Sequence, residues 1–214
     1  MLYNTSDEPR GREGLPKTAD SSVDVSLVIP LWNEQESLQE MTERLTVVLQ
    51  KLGRPYEIIF IDDGSTDGTF DLLQILLARY PSIRAAKLHR NYGQHAALCA
   101  GLELSRGKYV ITMDGDLQNL PEEIPKFVEK LDEGYDLASG WRQNRRVPFL
   151  SRRLPSWILN KLITRATRVA LHDYGCGFNG MTRAVAKNII KHKVLRKFLA
   201  AQMAIEARNI CEVE

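Results

Sequence analysis

Short apolar segments alternate with longer amphipathic segments over most of this chain. The apolar segments are almost free of polar residues, as expected of strands that are covered on both faces of a sheet. They lie at residues 25–30, 56–61, 83–88, 109–113 and 135–139. The alternation predicts an α/β fold in which a mainly parallel sheet is flanked by helices.

Segments with apolar residues at helical spacing lie between these predicted strands. The first covers residues 35–52, the second begins after Ser65 as its N-cap, the third covers residues 94–105, and the fourth follows Pro121. Serine is a frequent N-cap, and proline suits the first turn of a helix. Helices that join parallel strands predict right-handed crossovers.

The first 23 residues differ in composition from the rest of the chain. They are dominated by polar and charged residues with proline and glycine, and they offer almost nothing to bury. We predict that residues 1–23 form a disordered leader. Residues 24–214 are long enough for one α/β domain with a sizeable core, and we predict a single catalytic domain there.

Composition narrows the class of protein. The net charge of +2 does not favour nucleic acid as a partner. Three cysteines without a CxxC pair argue against a disulfide framework or a zinc site, and they favour a reducing, cytoplasmic compartment. The sequence contains no apolar run of about 18 residues and no signal-peptide pattern, so we expect no membrane span within it.

A polar cluster directly follows each of the first four predicted strands. The clusters are Leu31-Trp32-Asn33-Glu34, Asp62-Asp63-Gly64-Ser65, His89-Arg90-Asn91 and Asp114-Gly115-Asp116-Leu117-Gln118. In an open α/β sheet, ligands bind outside the carboxyl ends of the strands. Four clusters at one edge therefore predict a single binding site there.

The acidic residues at this edge indicate a metal site. Asp114, Asp116 and the amide oxygen of Gln118 are the oxygen ligands that suit Mg²⁺ or Mn²⁺. Such an ion would neutralise charge on a departing diphosphate. A solvated turn is the alternative interpretation of Asp-Gly-Asp, but the second acidic pair at Asp62 and Asp63 favours the cation.

Other phosphate-binding patterns do not fit. No glycine-rich dinucleotide fingerprint follows the first strand, and no GxxxxGK[ST] loop occurs in the sequence. A DxDxT phosphatase would carry its motif after the first strand, whereas this motif follows the fourth and closes with Gln118. A phosphoacceptor receiver domain would leave the DGDLQ cluster unexplained.

Three motifs resemble those of family 2 glycosyltransferases, which have the GT-A fold. They are VIPLWNE at residues 28–34, IDDGSTDGT at residues 61–69 and MDGDLQ at residues 113–118. Gln118, SGWR at residues 139–142 and DYGCGF at residues 173–178 resemble the dolichyl- and polyprenyl-phosphate sugar synthases more closely. The resemblance extends from about residue 25 to residue 214, and it implies a Rossmann-like nucleotide-binding sheet.

The resemblance also implies roles for individual residues. The nucleobase and ribose of the donor would be bound by Pro30, Trp32, Asn33, Glu34, Ile61, Asp62 and Asp63. The metal ion and diphosphate would be held by Asp114, Asp116 and Gln118, with Gly115 allowing close backbone approach. Arg142 would face a phosphate as a bidentate donor.

The acceptor side is less completely specified. The catalytic candidates are Asp116, Arg142 and Asp173, of which Asp173 would either position the acceptor or only cap a turn. Asn179 stands where the family resemblance implies Arg or Lys, which weakens the case for an acceptor phosphate on that loop. The resemblance further implies a basic acceptor loop and transmembrane helices beyond the strand at residues 210–214, both absent from this sequence.

The chemistry of the acceptor favours a lipid phosphate. A hydroxyl acceptor requires a general base, and the later acidic motif and QxxRW segment of polysaccharide-forming members are absent here. A phosphate monoester, with a second pKa near 6, needs no such base. We therefore expect inverting transfer from a nucleotide diphosphate sugar, UDP in preference to GDP, to a polyprenyl phosphate. A glycan acceptor and a non-catalytic nucleotide-sugar binding module remain as alternatives.

The segment from Trp141 to Arg168 mixes basic residues with Trp, Phe, Leu and Ile. This pattern is typical of a helix lying on an anionic membrane surface, and also of an amphipathic helix packed on the sheet. We expect peripheral attachment to the inner face of the cell membrane. The identity of the sugar and the formation of a homo-oligomer stay open at this point.

Overall fold

A computed structural model describes residues 3–4, 23–141, 176–191 and 206–213 of the chain. Eight strands within these residues form one sheet. They are β1 (Tyr3–Asn4), β2 (Val25–Leu31), β3 (Tyr56–Asp62), β4 (Ile83–Lys87), β5 (Tyr109–Thr112), β6 (Leu137–Gly140), β7 (Asn179–Thr182) and β8 (Ile210–Val213). The order across the sheet is β1-β4-β3-β2-β5-β7-β6-β8.

The four central strands β4, β3, β2 and β5 are parallel, which confirms the predicted mainly parallel sheet. The remaining strands depart from the predicted pattern. Strand β6 begins at Leu137 rather than residue 135, and it pairs antiparallel with β7 and parallel with β8. Strand β7 was not predicted, because Asn-Gly-Met-Thr carries little of the β-branched content by which strands are recognised.

The helices are α1 (Gln35–Leu52), α2 (Thr69–Arg79), α3 (Gln94–Leu104), α4 (Ile124–Asp132) and α5 (Arg183–Lys191), with a 3₁₀ turn at Pro121–Glu123. The four predicted helices are confirmed, and α5 is an addition. Helix α1 ends at Gly53, whose φ of 69° is the left-handed conformation that glycine adopts readily.

Ser65 is not the N-cap of α2, contrary to the prediction. The Ser65 hydroxyl accepts the backbone N–H of Asn33 at 2.9 Å, and α2 begins four residues later. The N-cap is Gly68, and the carboxylate of Asp67 before it accepts the backbone N–H and the hydroxyl of Thr69 at 3.0 and 2.6 Å. Burial raises the pKa of Asp67, but these hydrogen bonds outweigh it and lower the pKa overall.

Two hydrophobic layers cover the faces of the sheet. Helices α1, α2 and α4 pack on one face with Ile29, Phe60 and Ile111, and α3 and α5 pack on the other with Val28 and Ile59. Successive strand residues alternate between the layers because side chains alternate across a strand. Both faces are buried, as the apolar strand segments predict.

The predicted leader is described only at Tyr3 and Asn4. These two residues pair antiparallel with Lys87 and Ala86 at the edge of the sheet. Residues 5–22 lie outside the described residues, so the disordered leader stays a prediction.

Among the helices that the structure describes, none has both the length and the apolar content needed to cross a membrane.

Candidate active site

The polar clusters meet where the chain reverses its direction across the sheet. From β2 the chain proceeds to β3 and then β4 on one side, and it returns to place β5 on the other side of β2. Strands β2 and β5 are therefore neighbours, with Val28 opposite Thr112. Such a switch point opens a crevice at the carboxyl ends of the two strands, where α/β proteins bind ligands.

The loop after β2 is held in a left-handed turn at Asn33, whose φ is 56°. The Asn33 amide oxygen accepts the backbone N–H of Thr66 at 2.9 Å, and the Asn33 N–H donates to Ser65. The Glu34 N–H donates to the hydroxyl of Thr69 at 2.9 Å. Asn33 thus joins the loops after β2 and β3, while Trp32 beside it is 54% exposed on the rim.

Asp62 and Asp63, both predicted to bind the donor, are buried with exposures of 0% and 2%. The Asp62 carboxylate accepts the Ser65 N–H at 3.0 Å and lies 3.5 Å from the ammonium of Lys87. The two oxygens of Asp63 accept the backbone N–H groups of Tyr92 and Gly93, both at 2.8 Å. In the structure these carboxylates hold the loops after β3 and β4 in place.

Pro30 and Ile61 are also buried, and they face each other across β2 and β3. Ile61 belongs to the hydrophobic layer beneath α3. A role of these two residues in binding the nucleobase or ribose stays a prediction. Among the residues predicted to bind the nucleobase and ribose, Trp32, Asn33 and Glu34 are at least partly exposed to solvent, and the others are buried.

Gly115 lies against the end of β2. A Cβ atom on Gly115 would lie 2.9 Å from the carbonyl oxygen of Pro30 and 2.7 Å from Cδ2 of Leu31, so a side chain has no room there. The Ser37 hydroxyl contacts the Gly115 carbonyl oxygen at 3.2 Å and the Glu34 carboxylate at 2.8 Å. Glycine is thus required for the loop after β5 to approach the loop after β2.

The Asp114 carboxylate is contacted from two sides by side-chain amides. Its Oδ1 accepts from Nε2 of Gln94 at the start of α3, and its Oδ2 accepts from Nδ2 of Asn119 at 3.3 Å. Asp116 is exposed, and its Oδ1 accepts the backbone N–H of Gln118 at 3.1 Å. The predicted metal ligands therefore share one loop, with the Asp114 carboxylate oriented by its neighbours.

Negative charge accumulates across the crevice. Burial raises the pKa of Glu34, the hydrogen bond from Ser37 lowers it, and the charges of Asp116 and Asp67 raise it further, with a net increase. Carboxylates from the loops after β2, β3 and β5 therefore lie close enough for their charges to interact. A cation would be stabilised there by the same charges that disfavour the ionised form of Glu34.

The residues present fit a hard divalent cation that also binds a diphosphate. Among the described residues, no three His, Cys, Asp or Glu side chains are grouped closely enough to hold a metal ion alone. Mg²⁺ is commonly bound through one or two carboxylates together with substrate phosphates and water. Asp114 and Asp116 can supply those carboxylates, and the amide oxygen of Gln118 is an additional oxygen ligand.

Two predicted catalytic residues, Arg142 and Asp173, lie outside the described residues, as does the basic segment after Trp141. Gln94, Asn119 and Gly177 all contact Asp114. None of the three was predicted as a site residue, although Gly177 lies in the DYGCGF motif. Gln94 and Asn119 flank recognised motifs as ordinary polar residues. Nothing in the sequence pattern distinguishes them from solvated side chains.

Comparison with known proteins defines the class. The profile of glycosyl transferase family 2 matches residues 26–190, and the chain belongs to this family. Over 190 residues the chain is 44% identical to the undecaprenyl-phosphate 4-deoxy-4-formamido-L-arabinose transferase of Pseudomonas paraeruginosa, covering 88% of this chain and 56% of the relative. The enzyme of the same name from Pseudomonas aeruginosa is 43% identical over the same coverage. The chain thus spans about half the length of these relatives.

Solved structures share the fold at low sequence identity. Staphylococcus aureus TarS 1–349 in complex with UDP has a TM-score of 0.61 at 18% identity, covering 89% of this chain and 58% of that one. Mycobacterium tuberculosis glucosyl-3-phosphoglycerate synthase with Mn²⁺, UDP-glucose and phosphoglyceric acid has a TM-score of 0.61 at 17% identity. The match covers 95% of this chain and 75% of the synthase. The predicted GT-A type fold is confirmed.

Proposed function

We propose that this chain is the donor-binding catalytic domain of a transferase that moves a sugar from a nucleotide diphosphate to a polyprenyl phosphate. The donor is a UDP-sugar in preference to a GDP-sugar, and transfer inverts the anomeric carbon. Asp114 and Asp116 would hold a Mg²⁺ or Mn²⁺ ion. The reaction takes place at the cytoplasmic face of the membrane.

The proposal rests above all on the contact between the two loops that flank the switch point. Ser37 bridges Glu34 and Gly115, and the charge of Asp116 acts on Glu34. The residues proposed for the nucleobase and ribose are thereby adjacent to those proposed for the metal and diphosphate. A nucleotide diphosphate sugar needs both sets in one crevice.

Within this crevice the side chains have separate tasks. The exposed indole of Trp32 stacks on the nucleobase, and Glu34 and Asn33 line the ribose side. Asp114, Asp116 and Gln118 hold the cation, which supplies positive charge to the diphosphate leaving group. Arg142 binds a phosphate oxygen of the donor.

A polyprenyl phosphate can act as the acceptor without a general base supplied by the protein. At neutral pH the phosphate monoester is largely ionised, so attack on the sugar requires no general base. The names of the Pseudomonas relatives support this acceptor class. Asp173 is proposed to position the acceptor rather than to deprotonate it.

The first experiment measures donor binding by thermal shift with UDP and GDP, each with and without Mn²⁺. We expect Mn²⁺-dependent stabilisation that is larger for UDP, since a ligand at 100 times its Kd stabilises by about 2.7 kcal/mol. The second follows radiolabel from UDP-sugars into polyprenyl phosphate in detergent micelles. Label transferred only to a soluble glycan, or binding without transfer to any acceptor, would contradict the proposal.

Membrane attachment through the segment from Trp141 to Arg168 is a separate part of the proposal. Each basic residue near an anionic leaflet contributes about 1 kcal/mol, and the attraction is screened over about 8 Å at physiological ionic strength. The protein should sediment with acidic liposomes at low salt and be released at high salt. Replacing Arg145, Arg146, Arg152 and Arg153 with Gln should likewise release the protein from acidic liposomes. Equal binding to acidic and to neutral liposomes would refute electrostatic attachment through this segment.

A further inference from the structure

We propose that Gly177 and Asn179 are positioning residues for the carboxylate of Asp114. Gly177 lies in the turn at residues 176–178, and Asn179 is the first residue of β7. The sequence motifs associate this part of the chain with the acceptor. The inference deepens the proposed function and rests on its Mn²⁺-dependent binding of the donor. It implies that this turn supports Mn²⁺-dependent binding of the donor by positioning the Asp114 carboxylate.

Gly177 lies directly against Asp114. A Cβ atom built on Gly177 would lie 2.0 Å from Oδ1 and 2.4 Å from Oδ2 of the Asp114 carboxylate. These distances are far shorter than any allowed contact, so a side chain on residue 177 would displace the carboxylate or the turn. A methyl group at residue 177 therefore fits only if the Asp114 carboxylate moves from its position or the turn shifts.

Buried hydrogen bonds fix the turn at this distance. The hydroxyl of Thr112, two residues before Asp114, donates to the carbonyl oxygen of Gly177 at 3.0 Å. The Asn179 amide donates from Nδ2 to the carbonyl oxygen of Cys176 at 2.9 Å. The Ser139 hydroxyl donates to Oδ1 of Asn179 at 2.9 Å.

The side chains of this network have little access to water. Thr112, Ser139 and Asn179 are exposed by 0%, 2% and 4%. An unpaired amide in such a place costs free energy, so Asn179 retains both of its hydrogen bonds. Asn179 therefore links β6, β7 and the turn into one support behind Asp114.

The support completes an enclosure around the Asp114 carboxylate. Gln94 and Asn119 donate to its two oxygens, and Gly177 closes a further side. Groups that orient a metal-binding side chain typically change metal affinity by 10- to 100-fold when they are replaced. This explains why Asn, a neutral residue, occupies position 179. A basic residue there would place positive charge near the acid proposed to bind the cation, and it could not accept the hydrogen bond from Ser139.

The test measures UDP affinity of the whole chain by calorimetry, with saturating Mn²⁺ and with excess chelator. For Gly177→Ala we expect at least a tenfold loss of affinity in Mn²⁺ and no change in chelator. Gly180→Ala is the matched control. Its Cβ would lie 3.2 Å from Cβ of Phe127 in the core, so it should lower the Tm without changing either affinity.

A second pair of variants tests Asn179 without adding volume beside Asp114. Asn179→Asp keeps an oxygen toward Ser139 but removes the donor to Cys176, and we expect about a tenfold loss of affinity in Mn²⁺. Ser139→Ala leaves that donor in place and should lose less than threefold. Each variant is compared at a temperature well below its own Tm.

Equal affinities in Mn²⁺ for Gly177→Ala and Gly180→Ala, or for Asn179→Asp and Ser139→Ala, would overturn the positioning role while leaving the proposed function intact. A wild-type chain that binds UDP equally with Mn²⁺ and with chelator would overturn the proposed metal dependence, and this inference with it. A loss of affinity in chelator as large as that in Mn²⁺ would show general damage to the crevice and also contradict the inference.

Discussion

At the amino ends of the central parallel strands, charged side chains are paired with charges of opposite sign. Glu57 of β3 accepts from the guanidinium of Arg84 at 2.8 Å, from the Ser26 hydroxyl at 2.6 Å and from the Arg106 N–H at 2.7 Å. Nearby, Arg54 bridges Asp24 and Asp132. These contacts join β2, β3 and β4 to the segments beside them.

At the carboxyl ends of the same strands, the hydrogen bonds given above to carboxylates come from neutral donors, although Asp62 also lies 3.5 Å from the ammonium of Lys87. Asp63 accepts two backbone N–H groups, and Asp114 accepts two side-chain amides. Asn33 and Leu117 adopt left-handed backbone conformations in these loops, which cost energy in non-glycine residues. Asp116 is exposed to solvent beside them.

The difference shows how one sheet separates stability from binding. A carboxylate neutralised by arginine has little remaining attraction for a cation, whereas one held by neutral donors keeps its charge for a ligand. We therefore expect substitutions at the amino edge to change the free energy of unfolding. Those at exposed positions of the carboxyl edge should change ligand affinity instead.

The largest expected effect follows Asp116→Asn. Removing this carboxylate should weaken Mn²⁺-dependent UDP binding by roughly 100-fold or more, since hard cations depend on charged oxygen ligands. The Tm without ligand should change by no more than about 2 °C because the side chain is exposed. Glu103→Gln, at an exposed position of α3, is the control. Calorimetric titration that gives equal affinities for both variants would contradict the metal site.

Glu57→Gln should produce the largest loss of stability. It leaves Arg84 and Ser26 without their charged partner, and the expected cost is about 2–3 kcal/mol in urea unfolding. UDP affinity of the folded protein in Mn²⁺ should match that of the wild type. A large loss of affinity at unchanged stability would show that the two edges are not separate.

Trp32→Ala is expected to weaken UDP binding by about tenfold, because stacking on a base contributes on the order of 1–3 kcal/mol. The loss should be the same with Mn²⁺ and with chelator, unlike that of Asp116→Asn. Trp32→Tyr should keep most of the affinity and serves as the conservative control. A loss confined to Mn²⁺ would place the indole near the diphosphate instead of the base.

The smallest effect concerns Asp132 at the amino edge. The hydrogen bond from Arg54 lowers the pKa of Asp132, burial raises it, and the Tyr109 hydroxyl lowers it further, with a net decrease. Ionised Asp132 therefore stabilises the fold above the usual Asp pKa of about 3.9, and this contribution is lost as pH falls through the lower native pKa.

Because Asp132 is well exposed, Asp132→Asn should cost only about 0.5 kcal/mol at pH 7. The difference in Tm between the variant and the wild type should shrink as pH falls through the lowered native pKa of Asp132. Thermal unfolding followed from pH 7 down to about pH 2 measures this. A difference in Tm that stays constant across the range would rule out the ion pair as its cause.

The order of strands and helices in the first half of the chain could be predicted because it depends on local pattern. Buried strands such as Val25–Leu31 are continuous apolar runs, and α1 carries apolar residues at helical spacing up to a glycine. Strand β7 and its position between β5 and β6 could not be predicted, because Asn179–Thr182 has no such pattern. Its pairing depends on segments that are distant in sequence.

The sequence by itself determined that four polar clusters lie at one edge of the sheet and that three motifs match a glycosyltransferase family. Only the tertiary structure decided the task of each polar residue. Asp62 at the end of β3 and Asp63 after it resemble Asp114 in chemical type, yet both are buried and accept backbone N–H groups of nearby loops. Gly177 is 63 positions from Asp114 and lies against its carboxylate. Chemical type is fixed by the sequence, whereas burial and proximity arise only when separate segments pack together.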